Sequence, residues 1–342
     1  MTSDKQILAV PTNIITGFLG VGKTSAILHL LQQKPSNERW AVLVNEFGEI
    51  GVDGSIISGQ SPQKKGVFIQ EVPGGCMCCA SGVPMQVALN KLLRHAQPDR
   101  LLIEPTGLGH PKEVIEVLSS QHYQKSLALK KIITLVDARN LHDKRYTSHG
   151  IFNQQLAIAD VIIGNKHDLY SARDSEELIN YTKSLTNKTC QLYFSEHGKL
   201  QLNWLDGATR YTQYTNKEHH HHHHHHHENK KVTAEVMPIP SNGYIEAINQ
   251  GEGFFSIGWR FSSDKIFDRQ KLFSFFKALK VIRVKAVVIT NEGSISINKS
   301  NNDMTETLLT RCEESRIEII CSSLDKSWRQ QLLQSLEALD TV

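Results

Sequence analysis

Between residues 12 and about 195, short apolar runs alternate with longer stretches in which apolar residues recur at helical spacing. The runs at 13–16, 41–44, 67–70, 101–103, 132–136, 161–163 and 192–194 predict strands. Several are unbroken aliphatic or β-branched segments, which is the pattern of a parallel sheet buried on both faces. The stretches at 24–33, 85–95, 112–118 and 175–184 predict the helices between them. This alternation predicts a doubly wound, mostly parallel α/β domain whose ligands gather at the carboxyl ends of the strands.

The pattern breaks at residues 199–235, which are polar and contain an uninterrupted histidine run. Such a composition cannot bury a core and predicts a linker or mobile loop. Beyond it a strand at 253–261, a helix at 265–279 and paired strands at 282–290 and 293–298 are predicted, the pair turning at Asn291-Glu292-Gly293. A strand at 316–321 and a helix at 327–339 complete a smaller α+β domain. The expected division is therefore 1–198, 199–235 and 236–342. A chain of 342 residues has room for two such cores.

Composition narrows the function. The formal net charge of +3 gives no reason to expect nucleic acid or an anionic membrane as a partner. No stretch approaches the roughly 18 apolar residues of a membrane helix. Residues 1–11 lack a basic segment followed by an apolar one, so no secretory signal is expected. The expected location is the reducing cytoplasm, where the six cysteines serve as thiols or metal ligands rather than disulfides.

Two clusters carry chemistry. Gly17-Phe18-Leu19-Gly20-Val21-Gly22-Lys23-Thr24 matches the phosphate-loop pattern GxxxxGK-S/T, between a predicted strand and an amphipathic helix that begins near Ser25. Gly17, Gly20 and Gly22 let the backbone aim N–H groups at phosphate oxygens, with Val21 and Ser25 completing the expected contact set. Lys23 is expected on the β- and γ-phosphates and the Thr24 hydroxyl on Mg²⁺. Asn165-Lys166-His167-Asp168 follows a predicted strand as NKxD should. The Asp168 carboxylate can accept from guanine N1–H and its exocyclic amine, donors that adenine does not offer as a pair, so GTP is the expected nucleotide. The Lys166 stem is expected over the base, and the Ser195 backbone N–H near the guanine oxygen. Glu104, in Ile103-Glu104-Pro105-Thr106-Gly107, ends another strand and is expected to hold Mg²⁺ through water, with Gly107 N–H approaching the γ-phosphate.

The second cluster is Gly74-Gly75-Cys76-Met77-Cys78-Cys79. Three thiols this close predict a soft-metal site. Cys76 and Cys78 point the same way in an extended segment, and the glycines permit the bend that brings Cys79 round. Thiolates favour Zn²⁺ or Cu⁺, and d¹⁰ zinc accepts the tetrahedral set with least strain. A fourth ligand is expected from Asn45-Glu46-Phe47-Gly48-Glu49, with Glu49 the first candidate and Glu46 the second. His219, His220, His221, His222, His223, His224, His225, His226 and His227 form a run that could be an affinity tag, but it is internal, between Glu218 and Glu228. It predicts a flexible arm that gathers metal weakly.

Taken together, GFLGVGKT, NEFGEIG, GGCMCC, IEPTGLGHP and NKHD resemble the CobW-like P-loop GTPases, grouped with HypB and UreG. The resemblance covers the nucleotide domain, and the pattern after residue 232 resembles the CobW C-terminal domain. It implies a metallochaperone in which zinc at Cys76, Cys78 and Cys79 is coupled to GTP hydrolysis and passed to client metalloproteins. Some relatives carry a glutamate just before NEFG where this chain has Val44, which leaves Glu49 the better acidic candidate. A homo-oligomer that responds to metal or nucleotide is compatible with this reading. The alternatives are a zinc buffer with a vestigial GTPase, or cobalt, nickel or iron as cargo; an ATP-dependent kinase is disfavoured by Asp168.

Overall fold

The computed structural model describes residues 7–44, 66–72, 83–185, 190–213, 237–251, 253–300, 303–310 and 312–337. The first sheet is built from β1 (Val10–Gly17), β2 (Trp40–Val44), β3 (Val67–Glu71), β4 (Arg100–Glu104), β5 (Leu127–Leu129), β6 (Ile133–Val136), β7 (Val161–Gly164) and β8 (Gln191–Phe194). Its order is β3-β2-β4-β1-β6-β7-β8, and every pairing is parallel. β1 pairs with β5 through Val10–Thr12 and then with β6 through Ile15–Gly17, so one edge of β1 is served by two successive strands.

Successive strand residues fall into two different cores. Ile14, Ala41, Leu43, Leu101 and Ile103 pack on one face; Ile15, Val42, Val44 and Leu102 pack on the other. Helices α1 (Lys23–Gln32) and α5 (Gly150–Ala157) cover the second face through residues such as Ile27, Leu31 and Phe152. Helices α2 (Val83–Ala96) and α3 (Pro111–Ser119) cover the first through Leu89, Leu92, Val114 and Leu118. Two covered faces are why these strands read as unbroken apolar runs. The short α4 (Lys144–Thr147) and the longer α6 (Ala172–Leu185) complete the described helices of this part.

The second sheet is antiparallel, in the order β13-β12-β11-β14-β10-β9. Its strands are β9 (Tyr244–Gly251), β10 (Phe254–Phe261), β11 (Arg283–Thr290), β12 (Gly293–Ser300), β13 (Asp303–Leu308) and β14 (Ser315–Cys321). One face, with Trp259, Val284, Ala286, Ile297 and Ile319, packs on α7 (Arg269–Ala278) and α8 (Ser327–Gln334) through Leu272, Phe276, Trp328 and Leu332. The opposite face is polar yet also buried, because it lies on the first domain: Val287 and Ile320 join the same core cluster as Phe18 and Leu19. Arg139 Nη2 reaches Asp303 Oδ2 at 2.6 Å, and the His149 ring stacks on Phe254 with centroids 5.8 Å apart.

The fold class predicted from the sequence is the one observed. The differences are at its margins. β5, β9, β13, α4 and α5 are additional to the predicted elements; β9 and β13 are sheet edges, where half-exposed polar residues leave no apolar run to read. Residues 199–213, expected to open a linker, pack on the first domain instead. Leu200 and Leu205 are buried there, and Trp204 stacks on Tyr193 at 4.5 Å. Asn13 Nδ2 donates to Leu205 O, which fixes this segment to β1. Among the described residues no helix is long and apolar enough to cross a membrane.

Candidate nucleotide site

The phosphate loop connects the end of β1 to the start of α1 in a left-handed course that only glycine takes without strain. Gly17 and Gly22 have φ of 142° and 97°. A Cβ at Gly17 would sit 2.4 Å from Leu135 O, and one at Gly22 2.5 Å from Asn165 Nδ2. The loop is thus pressed between β6 and the residues after β7.

Lys23 is buried inside this loop, and its ammonium donates to Gly17 O (2.9 Å) and Phe18 O (3.2 Å). Burial first, then the charge of Arg283, pull its pKa down to about 7; Glu104 opposes this and Lys285 adds to it. The Thr24 hydroxyl donates to Glu104 Oε1 at 3.1 Å. Burial pushes the Glu104 carboxyl upward, against the charges of Lys23 and Arg283 and the Thr24 hydrogen bond. Glu104 Oε2 is buried and has no hydrogen-bond partner among the described residues. A Cβ on Gly107 would lie 3.1 Å from Lys23 Nζ, so this backbone approaches the lysine closely. Lys23, Thr24, Glu104 and Gly107 are therefore together at the strand ends.

The second motif is joined to the first by one side chain. Asn165 Nδ2 donates to Val21 O (2.8 Å), and its Oδ1 accepts from Gly198 N (3.0 Å), both in the interior. Lys166 takes a left-handed φ of 63° and its ammonium lies 3.4 Å from Asp137 Oδ2. Asp168 stands at an open rim with its carboxylate 3.9 Å from His197 Nε2. Ser25 is exposed at the mouth of a cleft of about 280 Å³ that also holds Thr24, His197 and Lys285. Ser195 is a correction: its N–H donates to Gly164 O at 2.9 Å and closes the β7–β8 ladder, so it is not directed at a base.

Two site residues were not foreseen. Lys285 Nζ donates to Thr24 Oγ1 at 3.1 Å, and the charge of Arg283 acts on both Lys23 and Glu104. Both belong to β11 in the second sheet. The signal available in the sequence was basic residues at alternate positions of an otherwise apolar strand, Arg283-Val284-Lys285-Ala286.

Cys76, Cys78, Cys79, Glu46, Glu49 and His219 to His227 lie outside the described residues. The strand ends that lead towards them are described. Val44 at the end of β2 is in register with Glu71 at the end of β3 and with Glu104 at the end of β4.

A family profile described as the CobW/HypB/UreG nucleotide-binding domain matches residues 11–192. The chain is 42% identical over 313 residues, 91% of its own length and 93% of the other, to the zinc chaperone YeiR of Escherichia coli. It is 30% identical over 203 residues to the zinc-regulated GTPase metalloprotein activator 1 of Schizosaccharomyces pombe, spanning 58% of this chain and 48% of that one. Among solved structures, the Zn(II)-bound YjiA GTPase from E. coli is 19% identical, with a TM-score of 0.42, over 96% of this chain and 99% of that chain. Phosphate loop, strand-end acid and matched profile coincide on one stretch of sequence, and the chain belongs to the CobW/HypB/UreG family.

Proposed function

We propose that this protein is a GTP-dependent zinc metallochaperone that binds and hydrolyses GTP with Mg²⁺ and couples this to zinc held at Cys76, Cys78 and Cys79. The observation that carries the GTPase half is the buried Lys23–Thr24–Glu104 constellation, with Asn165 tying it to Asp168. Lys23 would leave the carbonyls of Gly17 and Phe18 for the phosphates, where negative charge offsets the cost of burying an ammonium. Asp168, at the rim, would accept from guanine.

Mg²⁺ fits the residues present. The ion takes oxygen ligands and keeps several waters, and here a hydroxyl and a carboxylate stand together with one carboxylate oxygen unpartnered. Thr24 and Glu104 would hold it, where it would neutralise charge on the transferring phosphoryl group. Catalysis then rests on position and electrostatics, with Gly107 close to Lys23 as the backbone donor at the γ-phosphate.

The zinc half rests on the CxCC sequence and on relatives whose names are zinc chaperone and zinc-regulated GTPase activator. The register of Val44, Glu71 and Glu104 supports coupling, because in sequence Glu49 follows β2, which pairs with the strand of the magnesium acid, and the cysteines follow β3, the next strand out. Zinc is then cargo for a client metalloprotein. GTP turnover measured with and without stoichiometric zinc, on the parent and on the Cys76→Ser, Cys78→Ser, Cys79→Ser triple variant, tests this. Zinc-dependent turnover in the parent, lost in the triple variant, is expected. Turnover indifferent to zinc in the parent would point to a zinc buffer with a GTPase of no consequence for it. Deleting residues 219–227 is expected to lower total zinc stoichiometry while leaving the tight site in place.

A further inference from the structure

The polar face of the second sheet is the least expected part of the fold. Alternation along β11 sends Val284 and Ala286 to the helices and Arg283 and Lys285 to the first domain. There the basic pair is nearly closed off from solvent, Lys285 at 2% and Arg283 at 8% exposure. A desolvated cation is costly unless opposing groups hold it. Among the described residues, two close approaches join the sheet to the phosphate loop. Lys285 Nζ donates to the Thr24 hydroxyl, and a Cβ at Gly20 would lie 2.4 Å from Ser300 Oγ.

The Thr24 hydroxyl has one proton and two lone pairs. Its proton goes to Glu104, and one lone pair accepts from Lys285. A magnesium ion ligated by Thr24 would take the other lone pair of the same oxygen, and it is the repulsion between that ion and an ammonium held against the same atom that sets the two in competition. Either the ion or the ammonium occupies this side of Thr24. A second place for the ammonium exists on the same sheet. Glu318 of β14 is the cross-strand partner of Lys285, is 4% exposed and is steadied by a hydrogen bond from Ser256 Oγ to its Oε1 at 2.8 Å. Directly opposed residues on paired strands are close enough for such a contact. One flexible stem is thus placed between two acceptors, one on each domain, and Glu318 already feels the charges of Arg283 and, after it, Lys285.

We propose that Lys285 is a built-in surrogate for magnesium: in the nucleotide-free protein its ammonium holds Thr24, and Mg²⁺ with nucleotide sends it back to Glu318. This rests on the GTP-binding reading of the site and adds to it a route by which the second domain senses the nucleotide state. The state of the site is written into β11, since Lys285 contacts the first domain in one position and its own sheet in the other.

The test is equilibrium binding of a fluorescent GTP analogue across a magnesium titration, with no turnover required. Lys285→Met removes the competitor and is expected to lower the magnesium concentration for half-maximal binding at least about threefold, which corresponds to about 0.65 kcal/mol. Glu318→Gln weakens the alternative acceptor and is expected to raise it by a similar factor. Shifts of opposite sign cannot come from general loosening of the fold, and circular dichroism melts confirm that both variants are folded. If Lys285→Met instead weakens binding at saturating magnesium, Lys285 is a phosphate ligand and the surrogate role is overturned. If both variants match the parent, it is overturned as well. A parent protein that binds no analogue at any magnesium concentration overturns the GTP reading itself, and the surrogate with it.

Discussion

Replacing Asn165 by alanine tests whether the two nucleotide motifs are held as one unit. The side chain is 2% exposed and bridges Val21 O at 2.8 Å and Gly198 N at 3.0 Å. Alanine leaves a carbonyl and an N–H in the interior without those partners. Each orphaned buried group costs about 1–3 kcal/mol, and the space vacated by the amide admits a water that favours the low end, so the loss is about 2–3 kcal/mol. For a chain of 342 residues, at about 2.1 cal/mol/K of unfolding entropy per residue, that lowers the melting temperature by about 3–4 °C. Asn165→Asp keeps the acceptor for Gly198 N–H but turns the donor towards Val21 O into a second acceptor, and is expected to be no more stable than the alanine variant. Both variants should bind GTP more weakly, because the phosphate loop is no longer tied to the base loop. Thermal melts with and without GTP provide the assay. An alanine variant that melts with the parent and gains the same increment from GTP would refute the bridging role.

Asp168→Asn is expected to shift preference from GTP to XTP, since an amide can donate to the 2-oxo group; undiminished GTP affinity in the competition assay would remove Asp168 from the base site. Lys23→Ala is expected to abolish most GTP hydrolysis and leave zinc binding to the nucleotide-free protein intact, because an ammonium cannot ligate zinc; parallel loss of both in a folded variant would mean one shared site. Glu314 gives a pH prediction. Burial would raise its pKa, but the hydrogen bond from Arg260 and the charges of Arg316 and Arg260 outweigh this and hold it below the ordinary value. A depressed carboxyl stabilises the fold above its unfolded pKa and loses that contribution as pH falls through the folded one. Glu314→Gln should therefore be less stable than the parent near neutral pH, and the gap in urea midpoint should close on acidification below about pH 4. A gap that is constant with pH would show that Glu314 contributes by shape alone.

The sequence by itself determined what consecutive residues can determine. The phosphate loop lies in eight successive positions, and the backbone turn it needs is built from its own glycines, so Gly17 to Thr24 could be read directly. The doubly wound sheet was equally legible, because strands such as 41–44 divide their side chains between two cores and so carry no polar residue at all. Glu104 followed from the rule that strand ends face the ligand. Tertiary structure decided the rest wherever a contact spans long separations. Asn165 meets Val21 across 144 positions, and Lys285 meets Thr24 across 261. Neither partner can be read from the sequence: the alternation along β11 marks the face on which Lys285 lies, but a buried polar side chain takes its partner from the packing of other elements. Ser195 shows the same limit in reverse, for only the β7–β8 register reveals that its N–H is already committed to Gly164. The edge strands β9 and β13 escaped because an edge needs no second apolar face, and the polar face of the second sheet, which reads as solvated surface in the sequence, is buried only because another domain lies on it.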